Sequence, residues 1–328
     1  MKARVPSIFL CLLFSQTCMK EDKPIPSPQP GNVESVVIEI GYPYLNQVYF
    51  SCENNTIVST NTKFDWDLGF ECGADGYHVI VNTARGTLVA NAGELDFEDV
   101  QASSGYNWRW DSSSGDLDST AFGEWLNSSG DSRNEIFIVD RQSDIAGNNL
   151  PLKKIRIDSV NQSSFYITYA NLDNTQFYSK EIPKDNSRNF ISFSFDNEGE
   201  VKTIEPPSTD WDLCFTNYQH FFSNLPLPFV ITGVLSNRKA GITCADIPFN
   251  GFDHAVLADT SLYVFTNRAD EIGYDWKIRN DLDNSYTIDE NKFFILKNQQ
   301  GVFYKIRFTD FYDQQGNKGY PTFLIQKM

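Results

Sequence analysis

The segment Phe64-Asp-Trp-Asp-Leu-Gly-Phe70 returns further along the chain as Thr209-Asp-Trp-Asp-Leu-Cys-Phe215. Upstream of it, Asn46-Gln-Val-Tyr-Phe-Ser-Cys-Glu-Asn54 parallels Asn189-Phe-Ile-Ser-Phe-Ser-Phe-Asp-Asn197. Downstream, Gly123-Glu-Trp125 has a counterpart in Gly273-Tyr-Asp-Trp276, Ile136-Phe-Ile-Val139 in Phe293-Phe-Ile-Leu296, and Lys154-Ile-Arg-Ile157 in Lys305-Ile-Arg-Phe308. Phe165-Tyr-Ile-Thr-Tyr169 likewise parallels Thr322-Phe-Leu-Ile-Gln326. Recurrence of several segments in one order is the mark of a duplicated unit and restricts the chain to two copies of one module. The copies are expected at residues 34–172 and 173–328, with the seam near Ala170 to Asp185. A length of 328 residues agrees with two domains.

Each recurring segment clusters Phe, Ile, Val, Tyr and Thr over four to eight residues, and turn formers such as Asn54-Asn55, Asn148-Asn149 and Gln315-Gly316-Asn317 separate them. Alternation places Trp211, Leu213 and Phe215 on one face of a strand, and Trp66, Leu68 and Phe70 on one face of another. Helical periodicity is scarce; Glu94 to Ala102 is the best candidate for a short helix. The expected class is all-β, as two tandem antiparallel β-sandwich-like modules. Aromatic residues at 14% and charged residues at 21% exclude a disordered chain and a coiled coil. Lys and Arg number 27 against 43 Asp and Glu, a net charge of −16 that repels polyphosphates, so nucleic acid is not an expected partner.

Residues 1–17 read as a lipoprotein signal peptide. Lys2 and Arg4 precede a short apolar stretch from Ile8 to Phe14, too short to span a bilayer. Ser15-Gln16-Thr17-Cys18 resembles a relaxed lipobox, with Cys18 as the acylated first residue. Lys20-Glu21-Asp22 resembles the export signal of surface lipoproteins in Bacteroidetes-type bacteria. Residues 18–33 are then a proline-rich tether, and the outer-membrane lipid anchor holds the chain at the cell surface. Export permits disulfides. Cys52 with Cys72, and Cys214 with Cys244, would each close a loop within one half, with free buried thiols as the alternative. No CxxC spacing occurs, and no metal site is expected.

The second copy resembles the HmuY family of bacterial surface lipoproteins. The resemblance rests on Ser192-Phe-Ser-Phe195, Gly199-Glu-Val201, Asp210-Trp-Asp-Leu213, Tyr286, Phe293-Phe-Ile295, Tyr304-Lys-Ile-Arg-Phe-Thr-Asp-Phe311 and Lys318-Gly319. The first copy, a divergent module, carries weaker versions of these marks. The resemblance implies an all-β, outer-membrane-anchored domain that, in the best-known members, binds haem and passes it to an outer-membrane transporter. Haem is thus the candidate ligand, and a transporter the candidate partner. The family's best-known axial pair is two histidines. Where the second is expected, shortly before Tyr286, this chain has Arg279, Asn280 and Asp281. Met19 and Met328 stand at the two ends of the mature chain, so a thioether pair is excluded.

Three histidines remain as haem-binding candidates. His220 and His78 follow Trp211 and Trp66 in tyrosine-containing clusters, and His254 sits in Phe252-Asp-His254. The bland alternative is a partly exposed histidine near a strand end. Asp65/Asp67 and Asp210/Asp212 could pair as acid and base on a glycoside, but a pair present in both copies is expected to serve the fold. The acidic loops Asp111–Asp118 and Asp281–Asp283 read as solvated. Trp108-Arg109-Trp110 offers an aromatic pair for stacking or for the core. No GxSxG, HExxH or Walker A sequence occurs, and no enzyme is expected. The expected function is capture of haem or a related nutrient ligand for outer-membrane uptake. The alternative is a non-haem interaction lipoprotein that contacts a transporter, a glycan or the envelope.

Overall fold

The computed structural model describes residues 29–249 and 251–328, so the signal peptide, Cys18 and most of the tether lie outside the described residues. The described chain is nearly all strand, every strand pair is antiparallel, and its four larger sheets pack as two sandwiches. Glu94–Ala102 forms only a single 3-10 turn, at Phe97–Asp99. None of the described helices is long and apolar enough to cross a membrane.

One sandwich is continuous in sequence. Its outer sheet runs in the order Tyr178–Pro183, Ser164–Asn171, Lys153–Val160, Ile136–Asp140, Leu88–Gly93, Trp108–Arg109. Its inner sheet runs Glu200–Lys202, Phe190–Ser194, Leu68–Glu71, Val79–Val81. Phe70, Trp125, Phe137, Phe165 and Phe193 fill the space between them, all buried.

The other sandwich is split. Its outer sheet is ordered Glu34–Val37, Lys318–Lys327, Phe303–Tyr312, Phe293–Lys297, Thr243–Ile247. Its inner sheet is ordered Phe229–Ser236, Leu213–His220, Asn46–Ser51, Thr56–Thr62. The core between them joins Val48 and Phe50 from the start of the chain to Phe215, Trp276, Phe308 and Phe323 from its end.

The two cores therefore do not follow the expected division at 172/173. Residues 46–62 pair with 213–236, and residues 68–81 pair with 190–202. The expected seam falls between two strands that pair with each other, Ser164–Asn171 and Tyr178–Pro183. The crossing occurs at the Asp-Trp-Asp turns. Only residues 63–67 separate Thr62, in the split sandwich, from Leu68, in the continuous one. Residues 203–212 carry the chain back. Each tryptophan thus precedes its strand, and its ring leaves the face that Leu68 and Phe70, or Leu213 and Phe215, present to the core.

Corresponding positions hold corresponding roles. Lys154 Nζ donates to the carbonyls of Phe97 and Val100 at 2.6 and 2.9 Å, and Lys305 Nζ to those of Phe252 and Ala255 at 2.5 and 3.1 Å. In each case a buried ammonium is satisfied by the loop that covers the outer sheet, which is what burying such a group requires. Asn82 Nδ2 donates to the carbonyls of Lys63 and Trp66, and Asn237 Nδ2 to those of Ser208 and Trp211, so each asparagine pins one crossing turn.

The four cysteines are buried free thiols, the alternative that the sequence left open beside the two disulfide pairings. Cys52 and Cys72 belong to different cores. Cys214 packs with Tyr49 and Trp211 on the opposite side of its sheet from the core that contains Cys244. Neither expected pair shares a compartment.

Candidate ligand-binding site

The inner sheets of the two sandwiches face each other across a cavity of about 250 Å³ whose walls include Tyr49, Trp66, Phe190 and Trp211. Tyr49 and Trp211 meet edge to face with centroids 5.0 Å apart. Trp66 Nε1 donates to Gln47 Oε1 at 2.8 Å, and Gln47 Nε2 in turn donates to Thr216 at 3.0 Å. The tryptophans that leave the cores thus become the wall of the cleft between them.

Two buried carboxyls line this cavity. Glu205 accepts from Asn189 Nδ2 at 2.6 Å and from the backbone N–H groups of Asn189 and Phe190, both at 3.2 Å. Asp111 accepts from the N–H groups of Ala121 and Val81 at 2.7 and 2.8 Å. Burial pushes both up to about 7 against the opposing pull of those hydrogen bonds, because the low-dielectric cleft disfavours their charged forms. Trp211 Nε1 faces Glu205 without completing a hydrogen bond to it.

A second, more open pocket of about 370 Å³ adjoins the first, and Ser112 and Ser113 line both. Its other lining residues are Trp110, Ser119, Gln219, His220, Phe221 and Arg268. Trp110 stacks on Phe221 at 5.6 Å, and Phe221 is 48% exposed. His220 ends the strand Leu213–His220, and its ring is wedged against Phe222 and Tyr274 at 4.7 and 5.1 Å. His220 Nδ1 and Gln219 Oε1 are buried with no hydrogen-bond partner among the described residues. Arg268 pairs with Asp270 at 2.9 Å and stays half exposed at the rim. Aromatic faces, one imidazole and one cation therefore surround a single opening.

The segment 110–119 is a strap from the continuous sandwich to the split one. Ser113 Oγ donates to Asp270 at 2.6 Å, Ala269 N donates to Ser114 O at 2.8 Å, and Arg238 donates to Gly115 O at 2.7 Å. The acidic loop expected to be solvated is thus in part structural, since its first residue, Asp111, is buried. Trp108 and Trp110 separate: Trp108 packs behind the outer sheet, while Trp110 reaches the rim pocket.

Of the three candidate histidines, His220 lines the rim pocket, and His78 and His254 line neither of the two pockets described. His254 is exposed in a loop against the far face of the split sandwich. His78 lies outside both pocket linings, with Nδ1 2.5 Å from Glu71 Oε2. The three do not converge, so no pair stands ready to ligate one metal from both sides. Three of the four paired aspartates hold the fold. Asp67 accepts from Arg85, Arg141 and Phe195 N, Asp65 from Thr62 N, and Asp212 from Cys52 N. Glu205, Gln219 and Arg268 escaped sequence reasoning. Phe221, beside His220 in Gln219-His-Phe-Phe222, carried the one signal that could have found the rim.

The sequence profile of the HmuY protein family matches residues 43–324. No curated protein matches the chain in sequence. Among solved structures, apo PinO from Porphyromonas gingivitis aligns at 10% identity over 90% of this chain and 97% of its own, with a TM-score of 0.30. The apo HmuY analog of Tannerella forsythia aligns at 10% identity over 92% and 97%, with a TM-score of 0.26. A Bacteroides vulgatus protein described as HmuY-like and heme binding aligns at 15% identity over 57% and 95%, with a TM-score of 0.25.

Proposed function

The chain belongs to the HmuY family, and we propose that it is a surface-anchored lipoprotein that captures haem or a related planar nutrient ligand for outer-membrane uptake. The observation that carries this reading is the rim pocket. Its exposed aromatic face, Phe221 backed by Trp110, offers a stacking platform for a flat ring. His220 supplies an imidazole beside it, and Arg268 a cation of the kind that receives a ligand carboxylate. A single histidine in the opening supports one protein ligand to a bound iron rather than a pair. Cys18 would anchor the protein through lipid at the outer-membrane surface, with residues 18–33 as the tether and a transporter as the recipient. Its role is then binding, not turnover.

The test is an absorbance titration of the mature chain, lacking Cys18, with haemin under oxidising and reducing conditions. The expected result is a saturable Soret shift that His220→Ala abolishes and that His254→Ala and His78→Ala leave in place. A flat titration with the parent protein would overturn the haem reading. It would leave the interaction lipoprotein, whose partner would be sought by capture from the cell surface.

A further inference from the structure

His78 is held by a neighbouring carboxylate, yet it lines neither pocket. Its side chain is 12% exposed, and Nε2 is screened from solvent with no hydrogen-bond partner among the described residues. On the other side of the ring, Nδ1 lies 2.5 Å from Glu71 Oε2. Glu71 is itself fixed. Its Oε2 accepts from the N–H groups of Tyr77 and His78, both at 3.1 Å, and its Oε1 is paired with Lys239. Tyr77 stacks on the imidazole at 4.0 Å. This arrangement assigns the ring proton to Nδ1 and leaves Nε2 with an unpaired lone pair, which is how a carboxylate prepares a histidine for metal ligation.

Two carboxylates lie close to this ring. Ligand atoms of His78, Asp118 and Glu124 all lie within 4.8 Å of one another. Asp118, near the end of the strap, and Glu124, just beyond it, are both exposed, and Tyr77 Oη donates to Glu124 Oε1 at 3.2 Å.

We propose that His78 Nε2, Asp118 and Glu124 form a site for a divalent transition-metal ion of the zinc type, with Glu71 orienting the histidine from behind. One nitrogen and two carboxylate oxygens at roughly 2.0–2.2 Å suit Zn²⁺, with solvent in a fourth position. A hard ion such as Ca²⁺ prefers an all-oxygen set and is disfavoured by the imidazole. The site ties the turn after Leu68–Glu71 to the segment that follows Trp110 and the serines of the rim pocket, so ion binding would fix that wall. The inference does not depend on what the rim pocket binds.

Isothermal titration of the metal-stripped mature chain with Zn²⁺ alone, in the absence of haem, tests it. The expected result is one saturable site per chain, weakened at least tenfold by His78→Ala and by the Asp118→Asn/Glu124→Gln pair, and unchanged in His254→Ala. The two carboxylates are exposed, so the paired variant keeps its fold and reports binding even if His78→Ala does not. No saturable binding by the parent chain would overturn the proposal. So would binding that survives the paired variant, or equal competition by Ca²⁺.

Discussion

Asp67 and Asp212 occupy the same position in the two Asp-Trp-Asp turns, but replacing each with asparagine should have very different effects. The Asp67 side chain is fully buried and holds two guanidiniums that are themselves 2% and 3% exposed. Arg85 Nη1 approaches it at 2.7 Å, Arg141 Nε and Nη2 both at 2.9 Å, and Phe195 N donates at 2.8 Å. Asparagine keeps the shape but removes the charge that two buried cations depend on. Breaking a buried ion pair costs about 3–5 kcal/mol. Arg141 retains Asp196 at 2.7 Å, whereas Arg85 retains only the Ser143 carbonyl at 3.2 Å, which places the loss toward the lower part of that range. Asp212 accepts from Cys52 N at 2.7 Å and faces no cation, and burial raises its carboxyl above the ordinary range. A neutral amide there forfeits about 1 kcal/mol, the value of an ordinary hydrogen bond. Urea unfolding followed by tryptophan fluorescence at neutral pH should therefore separate Asp67→Asn from Asp212→Asn by about 2 kcal/mol or more. In Asp67→Asn/Arg85→Met, where one unpaired cation is gone, the loss should be smaller than the sum of the single losses. Equal losses for the two asparagine variants, or additivity in the double variant, would refute the reasoning.

Two further outcomes follow from the packing. Glu205 and Asp111, both held at about 7, stay protonated in the folded chain where the unfolded chain ionises, so the stability they lend is complete below about pH 4 and is lost as pH rises toward 7. Thermal melts between pH 4 and 8 should show a decline that Glu205→Gln/Asp111→Asn flattens, each group contributing about 1.4 kcal/mol per pH unit inside its window. A parent and double variant with parallel pH profiles would contradict this. Cleavage between Asp173 and Phe177 should not free two domains, because the C-terminal piece supplies residues 178–202 to the continuous sandwich and the N-terminal piece supplies 34–62 to the split one. The nicked chain should elute as one species on gel filtration until denaturant is added, whereas separation under native conditions would show that the strand exchange does not hold the halves.

Fold class was legible in the sequence because strand alternation and turn chemistry are local. The recurring segments could be aligned from their residues alone, and so could the expectation that the paired aspartates serve the fold. The division of the chain was not legible. Two similar strand patterns present similar edges, so alternation says which face of a strand is buried but not which copy supplies its neighbour. That choice is made by the short crossings at 63–67 and 203–212, which carry the chain from one inner sheet to the facing one. The ligand surfaces depend on the same crossing. The tryptophans of the motif were expected on one strand face with the leucine and phenylalanine that follow them, yet they face a cleft that exists only because the sheets oppose each other. His220 was visible as a residue, but its setting beside Trp110 and Phe221 required the strap to span the sandwiches. His78 and Glu71 lie close in sequence, while Asp118 and Glu124 reach them only through the folded loop. Sequence determines what each segment can bury or ligate; tertiary structure decides which segments meet, because contacts between distant parts of a chain depend on how it is routed and not on local pattern.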